Sequence, residues 1–385
     1  MAGNALIDVT LDPEQVAAPG SDARGSNDEG GGDAAPVFTH ASFARWLLAA
    51  TVIAMLAIGS LNWVVDPTGV TGRTTRWQVA DNSAVRSAKL DLYEQALERG
   101  RTPEVVLLGS SRTMKFDPAT AERLTGAGTF NAAVSGGVPR DAWLFTQLLR
   151  ERQRESFPHL VWGLDADAFR GKQLREGLST DPRMARFVPW QDRLATRVSS
   201  LGTLTEWQTL DATMRSLRAG GNADATERRR FSDDGMQLFS RAYEKRDVLR
   251  NRAIRRQTTN YANFVFERDG WERVEDEPLA DFVDVVRIAN AHGDVPTIFI
   301  TPYHPIAEAQ LQRYDLHALR AEVVDRLREL REEGDVEFKL VDVSDPASFD
   351  GDPRQWYDGV HMTPKNTDRV LALLDKRGLL APNSR

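Results

Sequence analysis

Five short apolar runs alternate along this chain with amphipathic stretches of helical period, and no other property of the sequence restricts the possible folds as strongly. The apolar runs are Val105–Gly109, Thr129–Ala133, Leu160–Leu164, Thr297–Thr301 and Phe338–Val343. The amphipathic stretches are Ser83–Arg99, Asp141–Arg152, Ala280–His292, Ala318–Glu333 and Lys365–Arg377. Continuous apolar runs of this length are typical of parallel strands that helices cover on both faces. The sequence therefore predicts an α/β fold with a doubly wound, mostly parallel five-stranded sheet, whose ligands bind beyond the carboxyl ends of the strands.

The connection between the third and fourth predicted strands, about residues 169–296, is much longer than the others. It contains the helix-like runs Trp190–Arg218 and Ser240–Thr258. Connections of this size are usually lids or inserted subdomains. We expect a helical insertion that covers the strand ends, the alternative being a packing appendage that contacts no ligand.

A run of 22 residues, Ala44–Val65, contains Arg45 as its only charge. A helix needs about 20 apolar residues to cross a bilayer core, and Trp46 and Trp63 stand near the ends of the run, where amphipathic rings favour the headgroup region. We expect one span in the inner (cytoplasmic) membrane, with an orientation that the flanking arginines do not decide. A short tail, one uncleaved span and a large C-terminal domain are typical of a signal anchor, which predicts a periplasmic domain.

Most of the net charge of −7 lies before this run. Residues 1–39 carry seven acidic side chains and one arginine, and they are rich in Gly, Ala, Ser and Asp. Such a segment has too little apolar surface to offset its ordering entropy, which predicts a disordered acidic tail. Residues 66–385 then form a nearly neutral α/β domain, and without a basic excess no nucleic-acid partner is expected.

The strongest chemical signal is a pair of segments near the two ends of the predicted domain. The first, Val105–Arg112 (VVLLGSSR), delivers serines at the end of a strand, and the second, Tyr357–Thr363 (YDGVHMT), has Asp358 and His361 three residues apart. A serine at a strand end can attack an acyl carbon, an imidazole can take its proton, and a carboxylate can orient that imidazole. The pattern predicts Ser111, His361 and Asp358 as catalytic residues. In the alternative interpretation, Ser111 only caps the following helix.

These two blocks resemble the SGNH (GDSL-like) hydrolase superfamily, and within it the membrane-anchored branch that includes alginate O-acetylation proteins and the D-alanyl transfer protein of teichoic acid assembly. That branch has Gly-Ser-Ser at the nucleophile, as in Gly109–Arg112, and Asp-x-x-His before the last helix, as in Asp358–His361. The resemblance covers most of residues 105–378 outside the insertion and includes the single anchor. It implies a flavodoxin-like SGNH fold, with Ser111 as the nucleophile and Ser110 in the place of the superfamily's Asp.

The two middle blocks of the superfamily match less closely. After the second strand, Phe130–Gly137 (FNAAVSGG) offers Gly136, whose N–H would form the oxyanion hole together with that of Ser111. After the third strand the superfamily has Gly-x-Asn-Asp, and this chain has Asp165 in the place of the Asn. An ionised carboxylate cannot donate a hydrogen bond to an oxyanion. Asp165 is therefore expected to have another role, to be replaced by another donor, or to weaken catalysis.

Three further residues stand where they could contact a substrate. Ser110 and Arg112 flank the nucleophile, and His304 directly follows the fourth strand. For Arg112 an ion pair with a nearby carboxylate is the alternative, and for His304 it is a hydrogen bond to a turn backbone. No metal-ligand spacing and no nucleotide-binding fingerprint is present, so neither a metal nor a cofactor is expected.

The resemblance implies a serine O-acyltransferase that modifies a cell-envelope polysaccharide, and O-acetyl transfer is the reaction that we expect. Its partners would be a glycan acceptor, an acyl donor and a membrane-bound acyl-transfer protein. Two alternatives remain open: an esterase or deacetylase with the same triad, and a catalytically silent scaffold for envelope glycan assembly.

Overall fold

The computed structural model describes residues 40–67, 77, 82–171, 181, 183–218, 220, 230–238 and 251–382. The acidic tail predicted for residues 1–39 lies outside the described residues, as do residues 240–250 of the predicted run Ser240–Thr258. Contacts between residues divide the chain into Met1–Val52 and Ile53–Arg385, and the second unit contains the α/β fold.

The central sheet has five parallel strands, as the apolar runs predict. They are β1 (Val105–Gly109), β2 (Thr129–Asn131), β3 (His159–Leu164), β6 (Thr297–Ile300) and β7 (Lys339–Asp342), whereas β4 (Arg230–Phe231) and β5 (Gln237–Leu238) form a separate antiparallel hairpin. The order in the sheet is β2-β1-β3-β6-β7. Counted within this sheet alone, that is the 2-1-3-4-5 order of flavodoxin-like folds, in which ligands bind where the order reverses between the first and third strands.

Eleven helices of α type lie in the described part of the chain. They are α1 (His40–Val65), α2 (Asn82–Glu98), α3 (Pro118–Thr125), α4 (Pro139–Arg152), α5 (Trp190–Thr203), α6 (Trp207–Arg218), α7 (Asn251–Ala262), α8 (Asp276–Ala291), α9 (Pro305–Leu311), α10 (Leu316–Glu332) and α11 (Pro364–Lys376). Five of them (α2, α4, α8, α10 and α11) match the five predicted amphipathic stretches to within a few residues.

Alternating residues of each strand face opposite layers, which explains why the strands are apolar throughout. Val106 and Leu108 pack into the cluster of α4, α8 and α10, whereas Val105 and Leu107 pack into the cluster of α3 and α11. Helices therefore cover both faces of the sheet, and the chain forms the three-layer α/β arrangement expected from the sequence.

Helix α1 is the apolar run seen in the sequence, extended by one turn at its N-terminus. It has 26 residues and is long and apolar enough to span a membrane. Most of its side chains are exposed, among them Trp46, Leu56 and Val64. This is the reverse of a soluble core helix, whose apolar side chains would be covered by protein.

The long connection between β3 and β6 contains several helices and the β4–β5 hairpin. The predicted run Trp190–Arg218 is broken into α5 and α6 at residues 204–206, and α7 continues into a six-residue π-helix, Asn263–Arg268. Helix α8 lies in the same connection but packs beside α4 on the sheet, so it belongs to the regular layers.

Gly163, the penultimate residue of β3, sets the spacing between the central strands and the turn after β1. A Cβ at this position would overlap Thr113 Oγ1 and lie 2.7 Å from Phe299 Cζ. We predict that Gly163→Ala lowers the free energy of unfolding by about 1–3 kcal/mol, because overpacking a full core forces neighbours to move. Thermal unfolding of the full chain in detergent, followed by circular dichroism, measures the effect.

Gly128→Ala is the matched control, because a Cβ there has only an ordinary contact of 3.8 Å with the Thr102 carbonyl. Its unfolding temperature should stay near that of the wild type. Equal unfolding temperatures for the two variants would contradict the packing described for Gly163.

Candidate active site

The turn after β1 holds Ser111 at the carboxyl edge of the sheet. Gly109 has φ 145°, and a Cβ there would overlap the Thr113 side chain and lie 2.6 Å from the Gly163 carbonyl oxygen. The next residues close into two tight turns, in which Thr113 N–H donates to the Ser110 carbonyl and Phe116 N–H to the Thr113 carbonyl, both at 3.0 Å. Glycine at the strand end is thus what lets the chain turn immediately and present Ser111.

A second loop, before α11, carries the other two predicted residues. Trp356 and Met362 pair across the base of this loop, and their side chains are buried in the core. Within it, the Asp358 Oδ1 atom accepts hydrogen bonds of 2.8 Å from the backbone N–H groups of Val360 and His361. One oxygen of the carboxylate therefore holds its own loop in place, while the other oxygen contacts the imidazole ring.

The two loops bring Ser111, His361 and Asp358 into one hydrogen-bonded chain, as predicted. His361 Nε2 lies 2.8 Å from Ser111 Oγ, and His361 Nδ1 lies 2.7 Å from Asp358 Oδ2. Because ionised Asp358 only accepts hydrogen bonds, Nδ1 carries the proton and Nε2 is left to accept one from Ser111. This is the geometry of a nucleophile, a general base and an orienting carboxylate.

Burial and charge act in opposite directions on this pair. Burial pushes the pKa of His361 down, but the negative charge of Asp358 and the hydrogen bond to it prevail and raise the pKa above its ordinary value. Burial likewise pushes the pKa of Asp358 up, but His361 and the two backbone N–H groups hold it below its ordinary value. Each side chain stabilises the charged form of the other, which is what an imidazolium formed during proton transfer requires.

The predicted oxyanion donors lie on neighbouring loops. Val134 N–H donates to the Gly109 carbonyl at 3.0 Å, and Gly137 approaches Gly109 so closely that a Cβ would overlap its carbonyl oxygen. Gly136, between them, has φ 59°. Among the described residues, neither the Ser111 nor the Gly136 N–H has an intramolecular acceptor. Both are free to donate to an oxyanion.

Arg112 is buried behind the nucleophile and surrounded by partners from several elements. Its guanidinium donates to Asp167 Oδ1 at 3.1 Å and to the hydroxyls of Tyr261 at 2.6 Å, Tyr303 at 3.0 Å and Thr301 at 3.2 Å. The Tyr303 ring also packs under it, 4.2 Å away. Arg112 is 3% exposed and forms ion pairs with Asp165 and Asp167. This agrees with the alternative interpretation of the sequence, a structural ion pair, and not with a contact with substrate.

Asp165, which stands where the superfamily has Asn, belongs to the same buried network. Its Oδ2 atom lies 3.5 Å from Arg112 Nε, and its Oδ1 atom accepts from the Thr301 hydroxyl at 2.5 Å. Burial raises the pKa of Asp165, and Arg112, Ser110 and Thr301 oppose this effect. Asp165 therefore has a role other than oxyanion donation: it is a counter-ion of Arg112.

Ser110 is buried and connects this network to the nucleophile turn. Its hydroxyl accepts a hydrogen bond of 3.1 Å from Arg112 N–H and bonds to Asp165. Ser110 therefore connects Arg112 and Asp165 to the turn that presents Ser111.

His304 caps helix α9 and closes against the loop of Asp358. Its Nδ1 accepts from Ile306 N–H and its Nε2 donates to the Pro353 carbonyl, both at 3.0 Å, while its own N–H donates to the Gly359 carbonyl at 3.0 Å. Burial lowers the pKa of His304. Both ring nitrogens of His304 have partners within the protein. This agrees with the interpretation of His304 as a histidine that bonds to turn backbone, and not with a contact with substrate.

Several residues that shape the site were not singled out in the sequence. Tyr261 comes from α7 in the insertion, and Asp167 and Tyr303 follow β3 and β6, so only the fold brings them to Arg112. The β4–β5 hairpin was missed too, although its Asp234–Gly235 turn is a hairpin signal. Fully buried Lys89, whose pKa burial lowers strongly, donates to the Asn131 and Gly235 carbonyls and so attaches this hairpin beside β2.

Three of the other described histidines have partners within the protein. His159 lies 2.7 Å from Asp294, His292 bonds to the Ile288 carbonyl, and His317 lies 2.8 Å from Glu308. In the part of the chain that the structure describes, no group of three His, Cys, Asp or Glu side chains could hold a metal ion.

Comparison with protein-family models gives no match for this chain, and none of the curated proteins matches it. The resemblance to SGNH hydrolases therefore stays a prediction that rests on the two sequence blocks.

We predict that His361 titrates above about 6.5, the ordinary pKa of histidine, and that Asp358→Asn lowers its pKa. Removing the negative charge leaves burial as the dominant effect, and burial favours the neutral ring. Titration of the Cε1 proton by NMR, with His361 assigned from a His361→Asn sample, measures both values. The exposed His317 serves as the internal control, and an unchanged His361 midpoint would show that Asp358 does not stabilise the imidazolium.

We predict that Arg112→Met lowers the free energy of unfolding by about 3–5 kcal/mol, the usual effect of breaking a buried ion pair. Asp167 keeps Arg170 at 3.1 Å, but Asp165 is left without a countercharge. Adding Asp165→Asn to the variant should restore much of the loss in a double-mutant cycle measured by thermal unfolding. If Arg112→Met unfolds at the wild-type temperature, the guanidinium does not have the structural role assigned to it.

Proposed function

We propose that this protein is a membrane-anchored, SGNH-like serine acyltransferase. It transfers an acyl group, which we propose to be acetyl, to a hydroxyl of a cell-envelope polysaccharide. The observation that carries the proposal is the chain of hydrogen bonds from Ser111 Oγ through His361 to Asp358, with distances of 2.8 and 2.7 Å. Three side chains from opposite ends of the domain meet in the geometry of an activated serine, at the sheet edge where α/β folds bind ligands.

In the first half of the reaction, Ser111 Oγ attacks the acyl carbon of the donor ester while His361 Nε2 takes its proton. Ser111 N–H and Gly136 N–H donate to the oxyanion, and Asp358 stabilises the imidazolium. The tetrahedral intermediate then collapses, the donor oxygen leaves with the proton of His361, and the acyl group remains on Ser111.

In the second half, a sugar hydroxyl gives its proton to His361 and attacks the acyl-Ser111 ester. The new ester leaves, and the proton returns to Ser111. The preference for a sugar over water comes from the resemblance to the anchored branch, which works in glycan modification. The resemblance also implies a membrane-bound donor protein, and helix α1 would hold the domain at the inner membrane, on the periplasmic side.

Hydrolysis is the second candidate function, and one observation favours it. The His361 side chain is 28% exposed in the described structure, so water can reach the imidazole. An esterase or deacetylase would use the same three residues, with water as the second nucleophile.

We predict that Ser111→Ala lowers acetyl-ester turnover by the full chain in detergent on the order of 10⁴-fold or more, as for other triad nucleophiles. A fluorophosphonate probe should label the wild type at Ser111 and fail to label His361→Ala. The matched control is Ser348→Ala, an exposed serine of the short 3₁₀ helix Pro346–Phe349, whose hydroxyl donates to the Asp345 carbonyl. Its turnover should equal that of the wild type.

Product analysis separates the two candidate functions. With an oligosaccharide acceptor present, a transferase yields acetylated sugar, whereas an esterase yields free acetate alone. Unchanged turnover in Ser111→Ala would overturn the triad mechanism that both functions share, whereas absence of turnover in the wild type would leave the catalytically silent scaffold.

A further inference from the structure

Helix α6 buries small polar side chains and exposes two large apolar ones. Thr209, Thr213 and Ser216 point into the protein and are buried, as is Ala212, whereas Trp207 and Met214, seven residues apart on the same side, are exposed. The exposed fraction of Trp207 is 78%. The charged side chains of Asp211, Arg215 and Arg218 are exposed as well. Helices in water place their large apolar side chains inside, so this combination of exposed apolar and charged side chains is suited to the boundary between an apolar phase and water.

Helix α5 also exposes large apolar side chains. Trp190, its first residue, and Leu194, one helical turn later, are 63% and 53% exposed. Because they are one turn apart, these two side chains share a face. We refer to Trp190, Leu194, Trp207 and Met214 together as the α5–α6 surface. Exposed large apolar side chains of this kind are typical of contacts with a partner or a membrane.

The C-terminal end of α1 fixes where the α5–α6 surface lies. Asn62 in α1 is fully buried, its Nδ2 donates to the Leu204 carbonyl at 2.6 Å, and its Oδ1 accepts from the Thr213 hydroxyl at 2.6 Å. Thr205 also approaches α1 at Gly59, where a Cβ would lie 3.7 Å from its Cγ2 atom. The α5–α6 connection and the buried side of α6 are therefore attached to the last two turns of α1.

Asn62 is three residues from the end of α1, about 4.5 Å along the helix axis. If α1 spans a bilayer, that level is the boundary between acyl chains and headgroups, where Trp side chains are enriched. The exposed part of α6 also carries Arg218 and the ion pair of Arg215 with Asp211, 3.1 Å apart, and charged side chains beside apolar ones are common on helices that lie in this boundary.

We propose that the α5–α6 surface is a second membrane contact, lying in the headgroup boundary of the leaflet from which α1 emerges. The lipid surface is the occupant because the surface is attached to the end of the only described helix that is long and apolar enough to span a membrane. The domain is then held at two places, by a spanning helix and by an interfacial helix pair. This fixes its rotation about α1, which a single helix followed by a linker would leave free.

The absence of cysteine makes the test direct, because any introduced cysteine is the only labelling site. Full-length chain carrying a nitroxide at Trp207→Cys, Met214→Cys or Trp190→Cys is placed in phosphatidylcholine–phosphatidylglycerol nanodiscs. Power-saturation EPR then compares collisions with oxygen, which dissolves in lipid, and with a water-soluble nickel chelate. Each position should show an oxygen-to-nickel collision ratio several-fold above that of the matched control, Leu124→Cys, an exposed leucine of α3.

Two results would overturn the proposal. A ratio equal to that of Leu124→Cys at all three positions means that the surface faces water. Low collision rates with both reagents mean that protein covers the surface, as in a dimer of this chain. Circular dichroism checks that each variant is folded, and three independent positions keep the test valid if one of them perturbs α6.

Discussion

A positive charge enclosed at the edge of the sheet is the constraint on which the site depends. The Arg112 guanidinium is 3% exposed, and a charge so far from water must be matched by carboxylates and hydroxyls. Its partners come from the segment after β3, the segment after β6 and helix α7 of the insertion. Since Arg112 is adjacent to Ser111, the same contacts that neutralise the charge fix the nucleophile turn against three other segments of the chain.

Helix α7 of the long connection contacts two parts of the candidate site. Tyr261 on α7 reaches Arg112, and burial keeps its hydroxyl neutral by raising its pKa well above the ordinary value. Thr258, one turn earlier on α7, approaches Gly359 so closely that a Cβ there would overlap its hydroxyl. One helix of the insertion thus contacts the support of the nucleophile and the loop of the base, and a shift of α7 would act on both.

The layers of the fold could be predicted because burial on both faces leaves a simple pattern. A strand such as β3 has no polar face, so an uninterrupted apolar run identifies it, and the confirmed parallel sheet follows from the alternation with helices. The positions of Ser111, Asp358 and His361 could be predicted because each follows a recognisable strand or precedes a recognisable helix. An ion pair was one of the two interpretations of Arg112, but its particular partners could not be predicted, because Tyr261 lies 149 residues away and only the folded chain selects among the available carboxylates. Helix α6 was predicted as part of a helical run, but the hydrogen bond of its Thr213 with Asn62 of α1 joins residues 151 positions apart and could not be predicted.

The distance along the chain between Ser111 and His361 also determines when the site can exist. Their hydrogen bond joins residues 250 positions apart. At roughly 5–20 residues per second of synthesis, about 12–50 s pass between the appearance of the serine and that of its base. During this interval the emerging chain has Ser111 at a strand end but not yet the imidazole that bonds to it. The hydrogen-bonded chain of Ser111, His361 and Asp358 can therefore form only when nearly the whole domain has been made.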